Sequence, residues 1–357
     1  MKKRIMSVAA LMMCGVIMAG CSSKIMFTTG LKSDQIFRID GSVCTKPEAM
    51  ILLSTEQKKY ENSYGSEIWQ QDCGGVTMEE YVKNNVKNQL ARLKTLSLLA
   101  QKQKVTLSEK EKKKIDKAAK TYMESLKKAE IKYMGITKED VVSLYTQYAL
   151  SQKLYNETIS DAEPEVSDAD AKMIKVQSIY VKACDIDKKS GKVTTYDDTK
   201  KKECYDRITK IKQKIDSGID FETVAKKNSD SGQTESVIGK GDMEKEFEEK
   251  AFSLSQGQVS DIVETEKGYY IIKCISDYLQ DETAARKQEL IEKEKNQAFK
   301  DIYTPYADKV SSEFNDKVWK KIKFEDNDKV NNTSFFDVYK EAEVIENDCN
   351  SSAFRLN

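Results

Sequence analysis

Residues 173–182 read MIKVQSIYVK and residues 268–275 read GYYIIKCI. Both runs are rich in β-branched and aromatic side chains. The first alternates at period two and the second is a strong apolar run, which are the patterns of strands in a sheet. On either side of them the apolar spacing is that of helices, so the period changes twice along the chain. The fold expected from this is α+β, a mixed domain set between N- and C-terminal helical segments.

Upstream, Asp161 to Ala171, with Pro164 and several acids, breaks the helical pattern and marks a domain boundary. Before it, Met78, Tyr81, Val82, Val86, Leu90 and Leu93 keep helical spacing between Thr77 and Gln101. Ser108, followed by Glu109 and Glu111, opens a Lys-rich helical segment that runs to about Met134 and stops at Gly135. Thr137, with Glu139 and Asp140 in the next turn, starts a helix whose stripe is Val141, Leu144, Tyr145, Tyr148 and Tyr155. Downstream of the first strand, Asp185 to Asp198 is polar around Gly191 and reads as a loop or hairpin insertion. A helix with Ile208, Ile211 and Ile215 inward then ends at Gly218. From Asp281 to about Lys323 the chain returns to helix, and Phe335, Phe336 and Tyr339 are expected to dock on the helical body. The domains expected are residues 21–165 (N-terminal helical), 166–279 (mixed) and 280–357 (C-terminal helices packed on the N-terminal region).

A chain of 357 residues exceeds one core of ordinary size. Its 59 basic and 59 acidic residues cancel, which gives no pull toward nucleic acid. The N-terminus differs in kind: Lys2, Lys3 and Arg4 precede an apolar run from Ile5 to Ala19, too short to span a bilayer, as in a secretory signal over residues 1–20. Met18-Ala19-Gly20-Cys21 closes it, and resembles the lipobox of bacterial lipoproteins, in which the cysteine receives the lipid. Without residues 1–20 the balance is 56 basic against 59 acidic, a net charge of −3. Apart from Cys14 and Cys21, six cysteines remain, and in an exported chain they are free to form disulfides. Cys184 with Cys204 is the pair expected, because both flank one insertion. No CxxC or Cys/His spacing suggests a metal, and the chain has no histidine, which excludes His-dependent triads and His-ligated metals. No cofactor is expected.

Eight ordered pieces run through the middle third: VQSIYV (176–181), GIDFETVA (218–225), NSDS (228–231), GKGDM (239–243), EFEEKAFSL (246–254), GQVS (257–260), Thr265 and GYYIIK (268–273). In that order they resemble the parvulin (PpiC, rotamase) family of peptidyl-prolyl isomerases. The export signal, the lipobox and the flanking helices are similar to those of PrsA-type foldase lipoproteins and SurA-like chaperones. The resemblance implies a four-stranded antiparallel sheet with surrounding helices, inserted into a chaperone-like body built from both flanks. It implies an isomerase at the extracytoplasmic face of a cell membrane of the Gram-positive type, anchored through lipid on Cys21. Its partners would be unfolded or nascent exported polypeptides with X-Pro bonds, and it would act as a monomer or a homodimer.

Site residues carry over position by position. Parvulins place one histidine in the first strand and one in the last; here those positions are Ser178 and Tyr270. The acidic or thiol position falls at Asp230 or Ser231, the apolar floor at Met243 and Phe247, and the threonine near the last strand at Thr265. A glycine-rich stretch before Gly239 is shorter than in the family, and Ile238 stands where an aromatic is expected. Without the family order, Met243, Phe247 and Tyr270 read as core residues and Asp230 and Ser231 as turn residues. Two other functions compete: a parvulin-like holdase that binds clients with weak or no turnover, and a surface structural lipoprotein, which accounts for Cys21 alone. Replacing the lipidated thiol, Cys21→Ala, is expected to move the chain from the membrane to the soluble fraction; retention at the membrane would rule the anchor out.

Overall fold

The computed structural model describes residues 25–26, 30–162, 164–187, 189–324 and 331–345. The export signal, Cys14, Cys21 and Cys349 lie outside these. The chain divides into two compact units, Pro164–Glu294 on one hand and Met1–Glu163 with Lys295–Asn357 on the other.

In chain order, the first unit opens with strands β1 (Ile25–Met26), β2 (Gln35–Ile39) and β3 (Ser42–Thr45). Helices α1 (Lys46–Tyr64), α2 (Met78–Lys102), α3 (Glu109–Ser125), α4 (Lys128–Met134) and α5 (Lys138–Ala162) follow. The second unit holds α6 (Asp168–Ala171), β4 (Ile174–Lys182), β5 (Cys184–Ile186), β6 (Val193–Thr195), α7 (Asp198–Asp216), α8 (Phe221–Asn228), β7 (Glu235–Ile238), α9 (Lys245–Ser253), β8 (Val263–Glu264) and β9 (Gly268–Ser276). Helix α10 (Gln280–Ala307) leads back to β10 (Ser312–Phe314), α11 (Asp316–Trp319) and α12 (Phe335–Glu341).

Local chemistry sets the helix ends of the first unit. Thr45, Thr77 and Ser108 each cap a helix reciprocally with a glutamate three residues on, and Gly135 closes α4 in the left-handed conformation at φ 66°. The Lys-rich stretch is two helices rather than one, broken at Leu126 and Lys127. Tail and body share one core: Phe335 stacks on Tyr145 at 4.6 Å and meets Tyr122 edge-on at 5.3 Å, while the Tyr145 hydroxyl donates to the Phe335 carbonyl at 2.7 Å. Beneath lies a buried ion pair, Lys94 Nζ to Glu48 Oε1 at 2.9 Å, with Ser143 and Gln147 also donating to that carboxylate oxygen.

The first unit is not wholly helical. Asp40 and Gly41, at φ 42° and 89°, make a tight turn between β2 and β3 that needs two positive φ values. Strand β10 then inserts between β1 and β2, with Ser312 opposite Ile39, and Ser311 binds the Asp40 carboxylate through both its N–H and its hydroxyl at 2.8 Å. For the same reason the helix after Asp281 stops at Ala307, well before Lys323: Pro305 withdraws one backbone donor from its last turn, and the next residues are committed to the sheet.

In the second unit the strands run β7-β4-β9-β8, each pair antiparallel. One face buries Ile179, Val181, Tyr269 and Ile271 under α7 and α8. The other buries Ile174, Val176, Ile272 and Cys274 under α9. At Gly268 a Cβ would stand 2.3 Å from the Val181 carbonyl oxygen, so β4 and β9 close only because this residue is glycine. The insertion is a small hairpin, β5 against β6. Cys184 and Cys204 do not pair: both are free thiols. Cys184 lies against the Tyr180 hydroxyl, whereas Cys204 packs with the α7 face of the sheet and reaches the Lys182 carbonyl at 3.3 Å. A sheet stands between them.

Removing one member of the Glu48–Lys94 pair strands a charge in a site where both side chains are at most 5% exposed. Lys94→Met is therefore expected to lower stability by about 3–5 kcal/mol in urea denaturation; a loss well under about 1 kcal/mol would show that the carboxylate finds another partner.

Candidate functional site

The β9–β4 ladder sets Tyr270 directly opposite Tyr180, and both side chains lie on the α9 face. Their rings stack at 4.7 Å and 24°. Phe247, from the first turn of α9, meets the Tyr270 ring edge-on at 4.9 Å and is itself only 1% exposed. The three rings form one aromatic cluster with Tyr270 in the middle. Ser178, two residues before Tyr180, is half-buried on the same face of β4.

Met243 precedes α9, whose first residue is Lys245, so its spacing of four from Phe247 is not a helical turn. It is 36% exposed, with its N–H donated to the Glu248 carboxylate at 2.8 Å. Its exposed thioether, four residues before the buried Phe247, leaves apolar surface free for a ligand ring. Thr265 lies at the tight turn from β8 into β9; its hydroxyl and its N–H both donate to the Gly268 carbonyl, at 3.0 and 2.8 Å. That bond positions the start of β9 and occupies the hydroxyl proton.

Two residues join the site that the motif order did not name. Tyr180 donates its hydroxyl to the Lys267 carbonyl at 2.8 Å. Glu244, half-buried, lies 3.9 Å from the Lys267 ammonium and acts on both tyrosine hydroxyls. Tyr180 was readable, since period two puts it on the face of Ser178. Glu244 had no such signal beyond following Met243. Burial pushes the Tyr270 hydroxyl up to about 12, with Glu244 and Cys184 adding to it, and the Tyr180 hydroxyl is raised for the same leading reason. Both phenols hold their protons throughout the physiological range, and Tyr270 remains a hydrogen-bond donor.

Asp230 and Ser231 are not gathered into this cluster. Arg207 of α7 holds the Asp230 carboxylate through two bonds at 2.8 and 2.9 Å, and the Lys182 N–H adds a third at 3.0 Å. Burial alone would raise this carboxyl; Arg207 and the backbone donor outweigh it and bring it below its usual value. Ser231 donates to the Gln233 carbonyl at 2.7 Å and so closes a turn. Among the described residues no group of three Cys, Asp or Glu side chains is placed to hold a metal ion.

Residues 188–276 match a family model, Rotamase, described as the PPIC-type PPIASE domain. The match includes Asp230 to Tyr270 and begins just after β5, so Ser178 and Tyr180 lie outside it. This part of the chain is a parvulin-type prolyl isomerase domain. Most of the remainder is similar to the PrsA foldases. The chain is 28% identical over 281 residues to Foldase protein PrsA of Caldanaerobacter subterraneus subsp. tengcongensis, covering 76% of this chain and 82% of that one. It is 28% identical over 244 residues to Foldase protein PrsA 3 of Bacillus cereus, covering 66% and 75%. A crystal structure of Peptidylprolyl Isomerase (PrsA) from Bacillus cereus is 22% identical and covers 74% of this chain and 90% of its own, with a TM-score of 0.33.

Asp230 offers a test by pH. Its depressed carboxyl contributes stability above the ordinary aspartate value of about 3.9, and that contribution fades as the pH falls through the folded-state value. Arg207→Gln is expected to lower the melting temperature most near neutral pH and progressively less below about pH 4. An effect independent of pH would show that Arg207 acts through packing instead.

Proposed function

We propose that the chain is an extracytoplasmic foldase that turns X-Pro bonds of exported polypeptides, held at the membrane by lipid on Cys21. The isomerase assignment follows from the PPIC-type domain, and the foldase assignment from similarity to PrsA over most of the chain. The regions read as 21–165 and 280–357 would supply a client-holding body around the 166–279 domain. The lipid anchor and the membrane-face location rest on the N-terminal sequence, and the X-Pro clients on the PPIC-type domain.

The carrying observation is the Tyr180–Tyr270–Phe247 cluster, with Met243 exposed on the segment that leads into α9. Rotation about X-Pro faces a barrier of about 18–20 kcal/mol and needs no bond to hydrogen to break. As the amide twists it loses resonance, so an apolar surface for the pyrrolidine ring and a donor for the twisted imide suffice. Met243 and the face of Tyr270 receive the ring. The protonated Tyr270 hydroxyl supplies the donor that a histidine-bearing site would take from imidazole. Ser178 on the same strand face is a second hydroxyl, and Thr265 keeps β9 in place.

A second reading, a binder without turnover, is favoured by two observations: Tyr270 covers Phe247, and Asp230 is spent on Arg207. A protease-coupled isomerisation assay on the full chain, with a panel of X-Pro tetrapeptides, separates the two. Acceleration is expected, and Met243→Ala should cut kcat/KM about tenfold, since the side chain's burial is worth about 1.5 kcal/mol or more. Tyr270→Phe tests the hydroxyl apart from the ring. Binding with no acceleration would establish the holdase, and neither binding nor acceleration would remove the proline site altogether.

A further inference from the structure

A cleft of about 500 Å³ lies in the unit that does not carry the isomerase site, bounded by β3, α2 and α5. Its walls break the usual rule for inward-facing helix positions. Lys94, Ser97 and Gln101 lie on one face of α2, and Ser143 and Gln147 on one face of α5, so the lining is polar where core spacing calls for apolar side chains. Lys94 and Ser97 are only 2% and 4% exposed. Lys94 and Glu48 neutralise each other at 2.9 Å, while Asp140, also in the lining, accepts the Thr137 N–H at 2.8 Å.

One polar atom is left over. Gln147 donates its amide to Glu48 at 3.2 Å and to the Ser143 hydroxyl at 3.0 Å. That fixes which way the amide points and leaves Oε1 buried with no hydrogen-bond partner among the described residues. A buried acceptor without a donor costs about 1–3 kcal/mol, so an N–H that meets this oxygen when the side chain turns toward the cleft relieves that cost.

The third wall supplies a template. Strand order β1-β10-β2-β3 makes β3 an edge, paired on one side only. Ser42 and Val43 are consecutive and point to opposite faces of the strand; a cleft lined by both, and by Thr45, meets that strand along its open edge. An open strand edge adds an extended peptide by main-chain pairing.

We propose that this cleft docks a short extended segment of an unfolded polypeptide as an added strand on β3, with one N–H of the segment on Gln147 Oε1. Uncharged, hydrogen-bonding side chains (Ser, Thr, Asn, Gln) suit it: an apolar one would strand the polar lining, and a charged one finds both Glu48 and Lys94 already paired. This deepens the foldase reading and rests on it, and gives the protein a hold on clients that does not depend on proline.

The probe is a fluorescein-labelled, proline-free peptide of alternating Thr and Gln, titrated against the full chain by fluorescence anisotropy. In parallel, benzoylphenylalanine placed at Gln101, an exposed residue of the cleft lining, is crosslinked and mapped by mass spectrometry. Binding of the probe is expected, with crosslinks to it. Gln147→Leu should weaken it about 3- to 10-fold, the worth of one hydrogen bond, and Thr146→Trp should abolish it by filling the cleft. Both variants should keep the helical circular-dichroism signal and native turnover of an X-Pro tetrapeptide. Equal binding by both variants, no binding by the native chain, or crosslinks that run only to a second copy or to the chain's own termini would each overturn the proposal. Turnover of the X-Pro tetrapeptide is read separately, so loss of the isomerase reading is distinguished from loss of this one.

Discussion

The pairing of β4 with β9 is the constraint on which the second unit depends. It holds Tyr180 opposite Tyr270, sends Tyr269 and Ile271 to one core and Ile272 and Cys274 to the other, and thereby decides what α7 and α9 cover. Its tightest point is Gly268, where the backbones approach too closely for any side chain. A one-residue slip of β9 would turn Tyr270 to the α7 face, away from Tyr180, and dissolve the aromatic cluster.

On the proposed reading, that cluster is how a site without histidine meets the needs of prolyl rotation. Isomerisation needs a fitted apolar surface and an oriented donor, not a proton acceptor. On that reading Tyr270 offers both in one side chain: a half-buried ring that stacks on Tyr180 and meets Phe247 edge-on, and a hydroxyl whose proton burial secures. Asp230 lies outside that cluster, held by Arg207 and the Lys182 N–H, where it ties α7 to the end of β4.

What was legible in the sequence was local. Period two gave β4 and β9, the polar stretch around Gly191 gave the small hairpin, and Thr77, Ser108 and Gly135 gave helix ends whose capping bonds lie within a few residues. Phe335 and Tyr339 docking on Tyr145 was inferable from aromatics in an otherwise polar tail. What escaped was long-range or unsigned. The Asp40-Gly41 turn is a hairpin signal that went unread, but nothing near Ser312 announces pairing with Ile39. The ion pair Glu48–Lys94 joins residues on different helices, and Arg207 reaches Asp230 across intervening α8. Cys184 and Cys204 flank one insertion, yet strand parity, not sequence distance, decided that they face apart.

The central claim is that this histidine-free aromatic site turns prolyl bonds. Two-dimensional exchange NMR on an isotope-labelled X-Pro peptide with the full chain tests it most directly, because cis and trans signals and ring contacts are read together. The account predicts cis–trans exchange peaks well above the spontaneous rate, with the proline ring protons shifted upfield by Tyr270. Exchange at the spontaneous rate, or enhanced exchange with no ring-current shift and no sensitivity to Tyr270→Ala, would contradict it.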